Sequence, residues 1–119
     1  MRRYSRAQRR QGQMNATEEW YHREHLESRI REGDLLKAEF EKVKVILVHP
    51  DKQKKRRETS YLPDFYCINA AGETEMHEVK GFCDEADRLK IKMAAGQFPE
   101  WRWYLVQISG KKIKKVDEF

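Results

Sequence analysis

Cysteine, proline and long hydrophobic runs are scarce in this sequence of 119 residues, and each scarcity excludes a class of protein. The longest apolar run, Val45–Val48, is far shorter than the roughly 20 residues that a membrane-spanning helix needs. The two cysteines, Cys67 and Cys83, have no CxxC spacing and do not indicate a zinc site. We expect reduced thiols, as in a cytoplasm, with a single disulfide as the alternative. No apolar segment follows the N-terminal arginines, which argues against a secretory signal.

Charged residues are abundant instead. Lysine and arginine number 25 against 20 aspartates and glutamates, which gives a formal net charge of +5. Such a surface favours a polyanionic partner, either nucleic acid or an acidic membrane face, although this charge is also common in proteins with neither partner. Aromatic residues make up 11% of the chain and argue against disorder. We therefore expect one small, compact, basic domain.

The chain divides into a core and two basic ends. Residues 1–14 contain five arginines without hydrophobic periodicity, which predicts a flexible basic arm. Residues 15–109 alternate between helical and strand patterns and form the predicted domain. Residues 110–119 are a basic tail in which alternating apolar residues indicate an extra strand, the least clear of the predicted elements.

Turn and cap signals divide the predicted domain into six elements. Asn15 and Glu18 form a capping-box pattern that starts a helix, and Gly33 ends it. The segment 35–48 then reads as one or two strands, and strands at 61–68 and 74–80 flank a turn. Asp84 caps a second helix through Gln97, with Leu89 and Met93 predicted to face inward, and a strand follows at 101–108. The resulting order, α-β-β-β-α-β, predicts a mixed α/β domain.

The predicted hairpin at 61–80 brings three chemically informative residues together. With a three-residue turn at 70–72, Asp64 lies opposite Glu78, and their Cβ atoms would be about 4.5–5.5 Å apart on one face. A two-residue turn would move this pairing by one position. Lys80 projects from the same face because it lies two residues beyond Glu78. Opposed like charges are destabilising, and there are three ways to relieve the repulsion. One carboxyl takes up a proton, Lys80 neutralises part of the charge, or a cation binds between the carboxylates.

The cation alternative suggests a chemistry. Two carboxylates form a hard-oxygen site that suits Mg²⁺ or Mn²⁺ rather than Zn²⁺. Such an ion polarises a phosphoryl oxygen and lowers the pKa of a bound water. A neighbouring lysine can orient that water or stabilise developing negative charge. The three groups together favour phosphodiester hydrolysis.

Pro63-Asp64, followed after thirteen residues by Glu78-Val79-Lys80, resembles the PD-(D/E)xK motif of a nuclease superfamily. The surrounding segments, Tyr-Leu-Pro-Asp-Phe and His-Glu-Val-Lys-Gly, resemble in particular small phage and prophage nucleases related to Holliday-junction resolvases. The resemblance covers residues 15–109 and implies a restriction-endonuclease-like core of α-β-β-β-α-β order. The elements predicted above from the residues alone have that same order.

The resemblance also implies roles for individual residues. Asp64 and Glu78 would be ligands of Mg²⁺ or Mn²⁺, with the Val79 carbonyl as a third ligand, and Lys80 would position the attacking water. Glu18 matches the first-helix glutamate that contributes to the metal site in such a family.

Glu18 has a plainer role as well, since it also closes the predicted capping box, and the two roles are compatible. Glu19 is the alternative first-helix carboxylate.

Several cations are candidates for contacts with nucleic acid. The loop 49–60 carries five that cannot pack in a core and must face solvent or a ligand: Lys52, Lys54, Lys55, Arg56 and Arg57. Lys90 and Gln97 share one face of the second helix, where some members of the superfamily have a basic residue or glutamine. DNA is the expected partner, and RNA stays open.

The leading hypothesis is a Mg²⁺-dependent DNA endonuclease, structure-specific for junctions or branches, that processes phage or prophage DNA in a bacterial cytoplasm. Paired cuts at a junction would require a homodimer, although the sequence shows no clear dimer surface. One alternative is a non-catalytic nucleic-acid-binding module with a nuclease fold. The other is an adaptor that dimerises through Trp101 and Trp103, two residues that otherwise read as core.

Overall fold

The computed structural model describes residues 12–119, so the basic arm predicted at 1–14 lies almost entirely outside the described residues. The first helical segment consists of α1 (Ala16–Tyr21), a π-helical turn (His22–Leu26) and α2 (Glu27–Arg31). The predicted capping box is confirmed. The Asn15 side-chain oxygen accepts the Glu18 N–H at 2.8 Å, and the Glu18 carboxylate accepts the Asn15 N–H at 2.9 Å.

The described residues contain seven strands in two sheets. The strands are β1 (Leu35–Phe40), β2 (Val45–Val48), β3 (Thr59–Tyr61), β4 (Phe65–Asn69), β5 (Thr74–Lys80), β6 (Arg102–Ile108) and β7 (Ile113–Glu118). The main sheet has the order β1-β4-β5-β6-β7, and β2 pairs with β3 separately. β5 and β6 are parallel, and the other neighbours are antiparallel. Helix α3 (Glu85–Gln97) connects the two parallel strands, as a parallel crossover requires.

The register of the β4–β5 hairpin is the one predicted from its turn. Phe65 pairs with His77, and Tyr66 pairs with Met76. One step further along the same register places Asp64 opposite Glu78. The sequence could specify this pairing because a short turn leaves little freedom in how its flanking strands align.

The predicted strand at 61–68 is wrong in its extent, since the chain there forms two strands in different sheets. Tyr61 pairs with Val45 in the small sheet, and β4 begins only at Phe65. Pro63 lies between them and has no N–H for a ladder hydrogen bond. The chain also leaves the main sheet at Glu41, whose φ of +51° turns it between β1 and β2. The segment 41–64 is thus an excursion that returns to the sheet at Asp64.

The main sheet is packed on both faces. The first helical segment covers one face, where its Tyr21 and Leu26 pack in one buried cluster with Phe65 of β4. The other face packs against α3 and the small sheet, around Met76 and Trp103. The layers place Glu75 and His77 on the first face of β5, and Met76 and Glu78 on the second.

The inward face predicted for α3 is wrong. Leu89 is 56% exposed and Met93 is 37% exposed, whereas Ile91 and Ala94 are buried. The cap and length of the helix are as predicted, with Asp84 accepting the Asp87 N–H. Only the rotation of the helix differs from the prediction, because the buried stripe is the one that meets β2, β3 and β6.

The protein is a mixed α/β fold, as the sequence indicated, and its main sheet is a five-stranded mixed sheet. The tail strand that the sequence left least clear is present as β7 at an edge of that sheet. None of the helices within residues 12–119 is long and apolar enough to cross a membrane.

Candidate functional site

Asp64 is fixed where the chain re-enters the main sheet. Its carboxylate Oδ2 accepts the backbone N–H of Val79 at 2.8 Å, and its carbonyl accepts the N–H of Glu41 at 2.8 Å. The side chain is only 6% exposed. The residue is thereby attached to β5 through its carboxylate and to the end of β1 through its backbone, so its position is well determined.

Glu78 lies on the face of β5 that α3 covers and is 7% exposed. Its Oε1 accepts a hydrogen bond from the Tyr61 hydroxyl at 2.8 Å. Its Oε2 lies 3.4 Å from the Lys80 ammonium, and this lysine is about one-third exposed. Glu78 is therefore oriented from both sides, by a buried phenol and by a cation that reaches solvent.

Glu18 approaches the same place from α1. It is buried in the first helical turn, where its own capping bonds to Asn15 hold the helix start. Burial is the main cause of the raised pKa of Asp64, and the neighbouring Glu18 carboxyl raises it further. The structure therefore brings Glu18, Asp64, Glu78 and Lys80 together, from a helix, a loop and a strand.

The carboxyl groups at this position are strongly perturbed. Burial, and then the neighbouring charge of Glu78, raises the pKa of Asp64 to about 9, despite the hydrogen bond from Val79. Burial also raises the pKa of Glu78, while Lys80 and Tyr61 partly oppose that shift. The pKa of Lys80 is raised, because Glu78, Asp87 and Asp64 outweigh the effect of burial on the ammonium. Without a bound cation the cluster holds a proton that ordinary carboxylates release.

We expect the metal-free protein to lose stability as the pH rises. The folded state keeps the Asp64 proton up to about pH 9, whereas the unfolded chain releases it near 3.8, so the folded state binds more protons between these values. One extra bound proton is worth about 1.4 kcal/mol for each pH unit, so the folded state should lose about 4 kcal/mol between pH 6 and pH 9. Thermal unfolding in EDTA should therefore show a midpoint that falls by roughly 15 °C over this range.

Asp64→Asn is the matched variant for this measurement, because its amide has no proton to release in this range. The variant should show a flatter dependence on pH and a higher midpoint than the wild type at pH 9. Parallel curves for the two proteins would show that Asp64 does not carry the effect.

The chain was also compared with known proteins. No protein-family model, curated protein or solved structure matches it. The site is therefore interpreted from its own geometry.

The donor set fits a hard divalent cation. Asp64 and Glu78 supply carboxylate oxygens, and when both are ionised their two negative charges exceed the single positive charge of Lys80. Within residues 12–119, no group of three or more His, Cys, Asp or Glu side chains is placed so that it could hold a metal ion, so Glu18 does not join Asp64 and Glu78 as a third ligand, contrary to the prediction. An ion here would thus depend on two carboxylates, on the predicted Val79 carbonyl and on water, and Mg²⁺ commonly retains several waters.

The predicted nucleic-acid contacts lie outside this cluster. The loop that joins β2 to β3 exposes five cations, namely Lys52, Lys54, Lys55, Arg56 and Arg57. Asp51 organises the turn by accepting the N–H groups of Gln53 and Lys54, and it pairs with Arg56 at 3.6 Å. None of the other four cations forms an ion pair with a residue in the described part of the chain.

Lys90 and Gln97 lie on one face of α3 as predicted, since seven residues separate them along the helix. Lys90 is exposed on α3, and no contact joins it to the carboxylates within the described residues. Gln97 instead donates its side-chain amide to the Leu47 carbonyl at 3.3 Å. The glutamine therefore ties α3 to the small sheet.

Tyr61 is the site residue that sequence reasoning missed. The sequence pattern predicts it only as a strand residue, yet its hydroxyl orients Glu78. The contact depends on the excursion 41–64 folding back over the second face of the sheet. The one available signal was its position three residues before Asp64.

A second polar cluster was also missed, on the opposite face of β5. Glu75 accepts hydrogen bonds from Arg29 at 3.0 Å and from Asn69 at 3.0 Å, and its Oε1 lies 2.9 Å from His77 Nε2. Since the carboxylate only accepts, Nε2 carries the proton, and Nδ1 accepts from the Tyr21 hydroxyl at 2.6 Å. His77 is therefore held between Tyr21 and Glu75, on the face of β5 opposite Glu78.

Proposed function

We propose that the protein is a Mg²⁺-dependent DNA endonuclease of the PD-(D/E)xK type. The observation that carries the proposal is the convergence of Asp64, Glu78 and Lys80 at one end of the β4–β5 hairpin, with Glu18 reaching them from α1. The buried carboxylates repel each other when both are ionised. The metal-free fold relieves this repulsion by keeping a proton, and a bound divalent cation would relieve it instead.

The proposed chemistry gives each side chain a separate task. Asp64 and Glu78 would hold Mg²⁺ or Mn²⁺, which when bound supplies charge that stabilises a phosphoryl oxygen and acidifies a water. The Lys80 ammonium, partly open to solvent, orients the attacking water and stabilises the negative charge that develops on the phosphate. Tyr61 keeps the Glu78 carboxylate in place by donating to Oε1.

The element order supports the same proposal. When the excursion 41–64 and the edge strand β7 are set apart, the helical segment, β1, β4, β5, α3 and β6 follow one another as α-β-β-β-α-β. A restriction-endonuclease-like core would have this order. Processing of phage or prophage DNA in a bacterial cytoplasm, and assembly as a homodimer, are further parts of the proposal that rest on the resemblance.

The test is cleavage of an end-labelled DNA panel containing a four-way junction, a flap, a nicked duplex, a continuous duplex and a single strand. Each DNA would be incubated with Mg²⁺, Mn²⁺ or EDTA, with Glu78→Gln protein beside the wild type. Metal-dependent cleavage that the variant lacks would support the nuclease. Binding without cleavage in every metal would contradict it and favour a non-catalytic binding module.

We expect the β2–β3 loop to set the salt dependence of DNA binding. Replacing Lys52, Lys54 and Lys55 with glutamine should weaken binding at low salt about tenfold or more. The slope of log affinity against log salt should become shallower by roughly 0.9 for each phosphate that the variant no longer neutralises. Fluorescence anisotropy in EDTA, between roughly 50 and 200 mM salt, measures both quantities.

The control for the loop variant is Lys37→Gln, which removes a charge near the turn of the hairpin, away from Asp64. It should leave the salt slope within error of the wild type. A loop variant with an unchanged slope would assign the phosphate contacts to another surface.

A further inference from the structure

An unusually exposed phenylalanine lies beside the candidate site. Phe82 is 80% exposed, whereas Phe65 is fully buried and the other three phenylalanines are partly buried. All five lie within the described residues. Phe82 forms no ring contact there with any other aromatic or cationic side chain. A ring held in water in this way contributes little to the fold.

The position of Phe82 is set by the elements on either side of it. β5 ends at Lys80, and Asp84 caps α3, so the phenylalanine lies on a short connection between two fixed points. Only Gly81 separates it from Lys80, the residue proposed to orient the attacking water. An apolar ring on this connection is therefore near the phosphate that the site would attack.

The surrounding charge favours a base over a phosphate as the partner of this ring. Asp84 and Glu85 follow Phe82 closely and are exposed, so the negative charge on this part of the connection does not attract the phosphates of a nucleic acid. The flat face of a base is uncharged and stacks on an aromatic ring whatever its sequence. In a continuous duplex that face is already covered by the neighbouring base pairs, and it becomes available at a branch, a nick or a single-stranded end.

We propose that Phe82 stacks on an unpaired or unstacked base next to the scissile phosphate, and so selects branched or nicked DNA over continuous duplex. This inference rests on the proposed function for the identity of the substrate. It adds the residue that would distinguish one DNA shape from another. Stacking is independent of the metal and of cleavage, so the two proposals can be tested separately.

The experiment measures binding in EDTA to a flap and to a continuous duplex of the same sequence, each with 2-aminopurine at the base beside the branch point. Phe82→Ala should weaken flap binding about tenfold and duplex binding less than twofold. It should also remove the change in 2-aminopurine fluorescence that the wild type produces. Phe82→Trp should restore both signals, because a larger ring still stacks.

Leu36→Ala is the matched control, since Leu36 is 63% exposed on β1, beside the end of β4 that leads into the hairpin turn. This variant should bind both DNAs like the wild type. Circular dichroism melting should give similar midpoints for all the variants, because none of the substitutions alters a buried side chain.

Unchanged flap binding by Phe82→Ala, or an equal loss on flap and duplex, would overturn the inference. So would a loss of self-association in sedimentation velocity without any change in DNA binding, which would assign Phe82 to an interface between copies of the chain. Phe82-dependent stacking without cleavage in any metal would leave the inference standing and contradict the nuclease. Metal-dependent cleavage by Phe82→Ala at the wild-type rate on every DNA would support the nuclease and contradict the inference about Phe82.

Discussion

Replacing Glu78 with glutamine is expected to lower the rate of Mg²⁺-dependent cleavage by about 10³-fold or more. The amide has nearly the same size and its oxygen can still accept the Tyr61 hydroxyl, but it lacks the charge that would hold the ion. A metal ion contributes several kcal/mol to charge stabilisation, and about 4 kcal/mol corresponds to 10³ in rate. Single-turnover cleavage at saturating Mg²⁺ on the preferred DNA measures the loss.

The fold of Glu78→Gln should survive, and its metal-free form should be at least as stable as the wild type. The substitution removes a buried negative charge beside Asp64, and with it the repulsion that the wild type relieves by keeping a proton. Glu100→Gln, at an exposed position, is the control and should cleave at the wild-type rate. Wild-type cleavage by a folded Glu78→Gln protein would remove Glu78 from the site.

Replacing Glu75 with glutamine is expected to affect stability rather than catalysis. The free energy of unfolding should fall by about 2–3 kcal/mol, and the cleavage rate should change little. Although burial alone would raise the pKa of Glu75, hydrogen bonds from His77, Arg29 and Asn69 bring it well below its usual range. The substitution leaves the largely buried Arg29 without its inner partner, and breaking such a pair is costly. Urea denaturation at pH 7, followed by circular dichroism, measures the loss.

The control for Glu75 is Glu73→Gln, on the same hairpin but about half exposed. Its free energy of unfolding should stay within about 0.5 kcal/mol of the wild type. Cleavage per folded molecule should stay within a few-fold of the wild type in Glu75→Gln, because Glu75 faces the first helical segment. A folded Glu75→Gln protein with normal stability but no cleavage would contradict the assignment of a structural role to Glu75 on one face of β5 and a catalytic role to Glu78 on the other.

The two predictions concern glutamates three residues apart on one strand, both buried. Glu75 is surrounded by donors and cations, so its charge is compensated. Glu78 adjoins another carboxyl and has one ammonium and one phenol beside it, so its charge is under-compensated. Their sequence neighbourhoods do not reveal this difference, because the compensating groups come from other elements.

Local signals in the sequence were sufficient for the caps and for the central hairpin. The Asn15–Glu18 box and the Asp84 cap depend on contacts within three residues, and the pairing of β4 with β5 depends on a short turn. The mixed α/β class and the position of Asp64 opposite Glu78 follow from these local features. The assignment of Asp64, Glu78 and Lys80 to a nuclease remains a prediction.

Only the tertiary structure decided how distant segments meet. The rotation of α3, which exposes Leu89 and buries Ile91, depends on the small sheet that lies against it. The hydrogen bond from Tyr61 to Glu78 and the approach of Glu18 to Asp64 depend on the packing of the excursion and of α1. Local propensities and turn geometry act over a few residues, whereas these contacts depend on how whole layers bury their apolar faces together, which no single segment of the sequence contains.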